Sequence, residues 1–212
     1  MRKNLTIFCV LALSLFLVGN ALAQNASAYF KIDTDLKTVG YQEASKPFVT
    51  GIGATKLVGF GIYGMALEDV AGVTVLFEWD GAKATFRTTS SGGKIVDDSM
   101  DINGVTQIPA AETGVLGAST ISAGEKNETN LYTVSLARQG AGTTPASGLL
   151  YFAVFRTVDT FKVGDQLAIK ATVDISSAAG KTRTLGTRYF VVNQVDVKSA
   201  TWGEVKSQFK DF

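Results

Sequence analysis

The sequence predicts an all-β fold: an antiparallel jelly-roll or Ig-like β-sandwich with a short C-terminal helix. Three observations predict it. Apolar residues alternate with other residues at a period of two along several runs. Glycine-containing turn signals separate those runs at short intervals. Helical spacing of apolar residues is confined to the C-terminal end.

Val73, Val75, Phe77 and Trp79 alternate with Thr74, Leu76, Glu78 and Asp80, and Leu167, Ile169, Ala171, Val173 and Ile175 alternate with Ala168, Lys170, Thr172 and Asp174. A period of two puts each apolar set on one face of a sheet. Val58, Phe60 and Ile62 repeat the pattern among Gly59, Gly61 and Gly64. Glycine weakens a strand but admits close approach by a neighbour. Leu149 to Phe155 is apolar on both faces, as suits a central strand. Phe30 with Ile32, Tyr132 with Val134 and Leu136, and Tyr189 to Val192 are further strand candidates. Between them lie Asp80-Gly81, Ser91-Gly92-Gly93, Asn103-Gly104, Gly140 to Gly148, Val163-Gly164-Asp165 and Ala179-Gly180, all turn signals. Short strands punctuated by glycine indicate a sandwich or barrel rather than βαβ units. The expected core includes Val75, Phe77, Trp79, Phe152, Val154, Leu167, Ile169 and Val173. The stretch 91–128 is polar and poor in strand signal. A structureless loop of that length is unusual in a compact domain, so one or two short strands are expected inside it.

The two ends read differently. Arg2 and Lys3 precede an apolar run from Ile7 to Val18, and Ala21-Leu22-Ala23 follows as a small-x-small cleavage pattern. Residues 1–23 are therefore expected to be a signal peptide of bacterial type, cleaved to leave Gln24 first. The run is shorter than the ~20 residues that span a bilayer, and no later segment is long and apolar enough to do so. The expected protein is secreted, with one β-sandwich domain over 24–197 and a tail over 198–212. The single cysteine, Cys9, leaves with the signal. In the tail, Thr201 can cap a helix with Glu204 reaching back from the third helical position. Trp202, Val205, Phe209 and Phe212 then share one apolar face, expected to pack on the sandwich rather than to serve as a docking or sorting tail.

The composition removes several chemistries. There is no histidine, so Ser-His-Asp and Cys-His nucleophile systems and the usual zinc sites are excluded. A net charge of +1 without any basic block leaves no footprint for nucleic acid. Two acidic groupings remain. Glu78 and Asp80 fall on one strand face, where they point the same way rather than across a cleft, as paired glycosidase carboxyls must. They read as a solvated face. Asp97, Asp98, Asp101, Asn103 and Gly104 are oxygen-rich, as calcium requires, but their spacing is not that of an EF-hand, and they read as a turn. Tyr41, Tyr63, Tyr132 and Trp202 are candidates for stacking on sugar rings, though aromatic side chains in sandwiches more often belong to the core. No catalytic residue, cofactor or metal is expected.

Two stretches, Leu67 to Arg87 and Gly148 to Ser176, together resemble the cohesin family, the β-sandwich modules of bacterial cellulosomes and related surface proteins. Ala71-Gly72 stands at the family's apolar-Ala-Gly strand entry, and Trp79-Asp80-Gly81 stands where the family has a Tyr-Asp-Pro-like turn. Gly148, Gly164 and the alternating run from Leu167 to Ile175 match the later order of central strand, turn and strand. The resemblance implies a nine-stranded jelly-roll that binds a protein partner, typically a calcium-loaded dockerin. The expected function is thus an exported, non-catalytic, cohesin-like interaction module. The alternatives are a carbohydrate-binding module that takes polysaccharide directly, or a structural surface or adhesion subunit.

Overall fold

The computed structural model describes residues 27–95, 100–107, 110–117, 120–140 and 142–193. The expected signal peptide, Asp97, Asp98 and the expected C-terminal helix lie outside the described residues.

Those residues fold as two six-stranded sheets. The first contains β1 (Tyr29–Asp33), β3 (Leu57–Met65), β5 (Ala84–Phe86), β7 (Met100–Ile102), β8 (Val105–Gln107) and β12 (Ser147–Thr157), in the order β5-β12-β3-β7-β8. β1 shares the far edge of β3 with β7, Tyr29–Asp33 pairing with Gly61–Met65 while Ile102 pairs with Leu57. The second sheet runs β10-β11-β4-β13-β14-β2. Its members are β2 (Phe48–Val49), β4 (Gly72–Trp79), β10 (Thr120–Glu128), β11 (Leu131–Arg138), β13 (Leu167–Ser176) and β14 (Thr182–Val192). β6 (Lys94–Ile95) and β9 (Glu112–Thr113) form a small separate pair. Pairing is antiparallel except at two edges, β14 with β2 and β3 with β7.

The sandwich was legible in the alternation. β4 and β13 bury every second residue, and their register sets Val75 beside Val173 and Phe77 beside Ala171. All eight expected core residues are buried. Between the sheets lies an aromatic cluster: Phe60 stacks on Phe190 at 4.5 Å, Phe86 on Tyr132 at 4.1 Å, and Trp79 meets Phe155 edge-on at 5.2 Å. Fixed offset and edge-to-face rings add roughly 0.5–1.5 kcal/mol per pair beyond area burial.

The stretch 91–128 departs from expectation. It holds β6 to β9 and the whole of the long β10, not one or two short strands. β10 is polar in sequence because it is an edge strand, specified by its ladder to β11 rather than by an apolar face.

This stretch also explains why β3 and β12 are buried on both faces. Phe152 and Val154 do not reach the main core. They join Leu36, Tyr63, Ile95, Ile102 and Leu149 in a second apolar cluster on the outer side of the first sheet, with Tyr41, Leu57 and Met65 packed against it. The described residues of 34–47 and 88–117 contribute Leu36, Tyr41, Ile95 and Ile102 to it. Gly59 shows the closeness of the fit, since a Cβ there would overlap the Cδ1 of Ile102.

Candidate functional site

The two sheets differ in what their outer faces offer. The roofing segments are tied down at several points. Asp33 is fully buried, and its carboxylate accepts the Asp35 N–H at 2.7 Å and the Gln42 N–H at 2.6 Å. Glu112 accepts from the Tyr63 hydroxyl at 2.7 Å and from the Gly40 N–H at 3.0 Å, and the Ala110 N–H donates to the Leu36 carbonyl at 2.8 Å. The first sheet's outer face is therefore occupied by the chain itself.

The second sheet's outer face is open. Its strands bury one side and leave the other half-buried or exposed. Register places Thr133, Leu76, Thr172 and Thr187 in one cross-strand row, and Ser135, Thr74, Asp174 and Thr184 in the next. Hydroxyls pair along these rows, Thr74 with Ser135 and Thr172 with Thr187, each at 2.9 Å. A third row carries Leu131, Glu78, Lys170 and Tyr189. There the Lys170 ammonium donates to both Glu78 oxygens at 3.0 and 3.1 Å. The result is an open surface rich in hydroxyls, on which Glu78 and Lys170 pair while Asp174 keeps a buried carboxylate oxygen without a hydrogen-bond partner among the described residues.

The acidic groups read from the sequence do not converge on a reaction centre. Glu78 is held by Lys170, whereas Asp80 accepts the Ala82 N–H at 3.0 Å and pairs with Lys83 at 3.6 Å across its own turn. Of the second grouping, Asp101 pairs with Lys56 at 3.3 Å. Asn103 and Gly104, with φ of 56° and 77°, make the two-residue loop of the β7–β8 hairpin, the conformation that Asn-Gly favours. The turn reading holds for these residues. Among the described residues no group of three or more His, Cys, Asp or Glu side chains gathers as a metal site.

Two stacking candidates are corrected. Tyr63 and Tyr132 are buried, at 2% and 1% exposure, Tyr63 in the roofed cluster and Tyr132 in the main core. Both lie on strands with apolar neighbours on the same face. Tyr41 is half-buried with the Lys31 ammonium over its ring at 4.6 Å, and Trp202 lies outside the described residues.

Sequence reasoning missed two asparagines that substitute for strand partners. The Asn103 side chain accepts the Gly59 N–H at 2.9 Å and donates to the Gly59 carbonyl at 2.8 Å. Asn193 does the same to Ile52, at 2.8 and 2.7 Å, and also donates to the Asp165 carbonyl at 3.2 Å. The signal was faint: Asn103 was legible as a turn residue, but neither remote strand was.

No protein-family model matches the chain, and no curated protein matches it. Solved structures do. A type II cohesin domain from the cellulosome of Acetivibrio cellulolyticus aligns with a TM-score of 0.51 at 12% identity, covering 78% of this chain and 95% of that one. The sixth cohesin of scaffoldin B from the same organism, solved with a dockerin, aligns with a TM-score of 0.47 at 11% identity, over 79% and 99%. A cohesin module from a Clostridium perfringens family 33 glycoside hydrolase aligns with a TM-score of 0.45 at 14% identity, over 78% and 94%. With the strand order above, the type II cohesin alignment shows that this chain folds as a cohesin-like β-sandwich.

Proposed function

We propose that the chain is an exported, non-catalytic module that binds a protein partner through the outer face of its second sheet. The observation that carries this reading is the asymmetry of the two faces. One is roofed by the chain's own segments, and the other is an open sheet face on which Glu78 and Lys170 pair. Open sheet faces suit protein surfaces better than small molecules, which favour concave pockets. The acidic side chains that a hydrolase would need are engaged in an ion pair and a turn.

The fold supports a partner class. Cohesins of this architecture have been solved with dockerins, so a dockerin-like, calcium-loaded module is the partner proposed here. Direct capture of polysaccharide is disfavoured, because two of the candidate stacking rings, Tyr63 and Tyr132, are buried.

The test is capture of purified calcium-loaded dockerin modules by the immobilised chain, compared with a Thr74→Arg/Thr172→Arg variant. Capture by the parent, lost in the variant at unchanged melting temperature, is the expected result. Retention on insoluble polysaccharide with no dockerin bound would replace this reading with a carbohydrate-binding one. Ordered self-assembly with neither would replace it with a structural one. Export is tested by sequencing the N-terminus of the protein recovered outside the cytoplasm, which should begin at Gln24.

A further inference from the structure

Among the described residues, the outer face of the second sheet carries its charges in pairs, with one exception. Glu78 is held by Lys170 at 3.0 Å, and Lys126 pairs with Glu128 at 2.7 Å. Register puts the second pair on the same face, Lys126 beside Thr133 and Glu128 beside Leu131. The exception is Asp174 of β13. It is half-buried, and its Oδ1 is shut off from solvent without a hydrogen-bond partner among the described residues. The ion pairs of those residues engage Glu43, Asp101, Asp80, Glu128 and Glu78, not Asp174.

The groups around it are spent elsewhere. Thr74 and Thr184 flank Asp174 across the strands, and Thr172 and Ser176 stand on either side along β13. The Thr74 hydroxyl pairs with Ser135 and that of Thr172 with Thr187, each at 2.9 Å. The ladder is also broken at this point. The β13–β14 register shifts between Val173 and Asp174, where Leu185 is an extra residue in β14 and Gly186 takes a φ of 105°. Such bulges raise the local twist and re-aim the side chains beside them.

A buried polar atom left unpaired is a cost that folded proteins seldom carry without a use. In most interface ion pairs, stripping water from the charges cancels much of their attraction. At Asp174, folding has already excluded water from one oxygen. A cation arriving at the open side of the carboxylate therefore meets less of that penalty, while an anion is repelled. Glu78 and Glu128 offer no such gain, since each already has its ammonium.

We propose that Asp174 selects the charge of what binds this face, and that the partner seats a lysine or arginine side chain on it. Its role there rests on the function proposed above, which assigns the face but not the chemistry recognised on it.

The test is the affinity of purified calcium-loaded dockerin modules for the parent, Asp174→Asn and Asp174→Ala, measured beside the melting temperature of each. Asn keeps the shape without the charge. Ala removes the sealed oxygen and serves if the Asn variant does not fold. No bond within the protein is lost, so the melting temperature should stay level or rise, while affinity falls by about tenfold or more. When the lysines and arginines of the dockerin are changed to glutamate in turn, one change should weaken capture by the parent and be rescued by Asp174→Lys. Equal capture by Asp174→Asn overturns the proposal. So does a lowered melting temperature in both variants, which would show that the carboxylate is held within the fold, and so does the absence of any rescue. In each of these cases dockerin capture by the parent still stands. A parent that captures no dockerin overturns the proposed function itself, and the role of Asp174 with it.

Discussion

Asn103 and Asn193 each perform two tasks with one side chain. Both adopt a left-handed backbone, with φ of 56° and 54°, and both use the amide as an artificial strand partner for a segment 44 or 141 residues away. Asn tolerates this conformation better than other residues with a Cβ. Asn193→Ala leaves buried groups of Ile52 unpaired and adds backbone strain, so about 2–4 kcal/mol should be lost. For a domain of this size, each kcal/mol shifts the melting temperature by about 2–4 °C, which thermal denaturation reads directly. Asn193→Gly restores the backbone freedom but not the bonds, and should recover about 1 kcal/mol. Tyr63 offers a separate readout. Burial first, and then the hydrogen bond to Glu112, push its hydroxyl well above the ordinary value of 10.0. A raised acid binds its proton more tightly in the folded state, so its contribution is complete below pH 10 and declines as alkali ionises the unfolded chain. Stability of the parent should fall above pH 10 more steeply than that of Tyr63→Phe, by up to ~1.4 kcal/mol per pH unit. Parallel slopes for the two proteins in alkaline urea titrations would show that Tyr63 contributes no such term.

At the scale of elements, the turn after β4 shows how a tight turn is fixed by its neighbours. Trp79 anchors the turn, its indole N–H donating to the Ala84 carbonyl at 2.8 Å, and Asp80 shapes it. The β10–β11 loop packs onto the next residue: a Cβ at Gly81 would overlap the Thr129 carbonyl, while the Trp79 N–H donates to the Asn130 carbonyl at 3.1 Å. Glycine fits this position because the neighbouring hairpin occupies the space a Cβ would need. Gly81→Ala should cost about 1–3 kcal/mol, as overpacking does, and Gly81→Pro at least as much. Neutral behaviour of both in chemical denaturation would show that the hairpin yields. On the opposite side, Arg188 and Arg183 of β14 reach the Phe30 carbonyl of β1 and the Ala28 carbonyl just before it, at 2.6 and 3.4 Å, and so bridge the two sheets. The strands themselves were readable wherever one face is buried, as in β4 and β13. The edge strands β2 and β10, and β14 beside β2, were readable poorly or in part. Their polar positions carry no period, and what specifies them is a ladder or a bridging side chain from elsewhere in the chain.

At the scale of the whole molecule, the run from Leu149 to Phe155 gave the right signal with half its meaning. Apolar residues on both faces did mark a central strand of the sandwich. They also marked a strand with a second core on its outer side, which the sequence of 34–47 and 88–117 does not announce. Those segments have no period to read, because each contributes isolated anchors such as Leu36 and Ile95 between backbone ties. The open face was legible only as polar positions in an alternation, and cross-strand register was needed to assemble Thr74, Leu76, Thr172 and Thr187 into a surface. The difference between the faces has a thermodynamic signature. Phe152 is 3% exposed beneath the roof, so Phe152→Ala should cost about 3–5 kcal/mol, as truncation of a core phenylalanine does. Thr172→Ala, at a central position of the open face, forfeits one exposed hydroxyl pair and should stay within about 0.5 kcal/mol of the parent. Equilibrium denaturation of the two variants side by side measures this contrast. If Phe152→Ala were as mild as Thr172→Ala, the roof would be a loose covering rather than a core. The first sheet would then be as available to a partner as the second, and the assignment of the binding face to the second sheet would lose its basis.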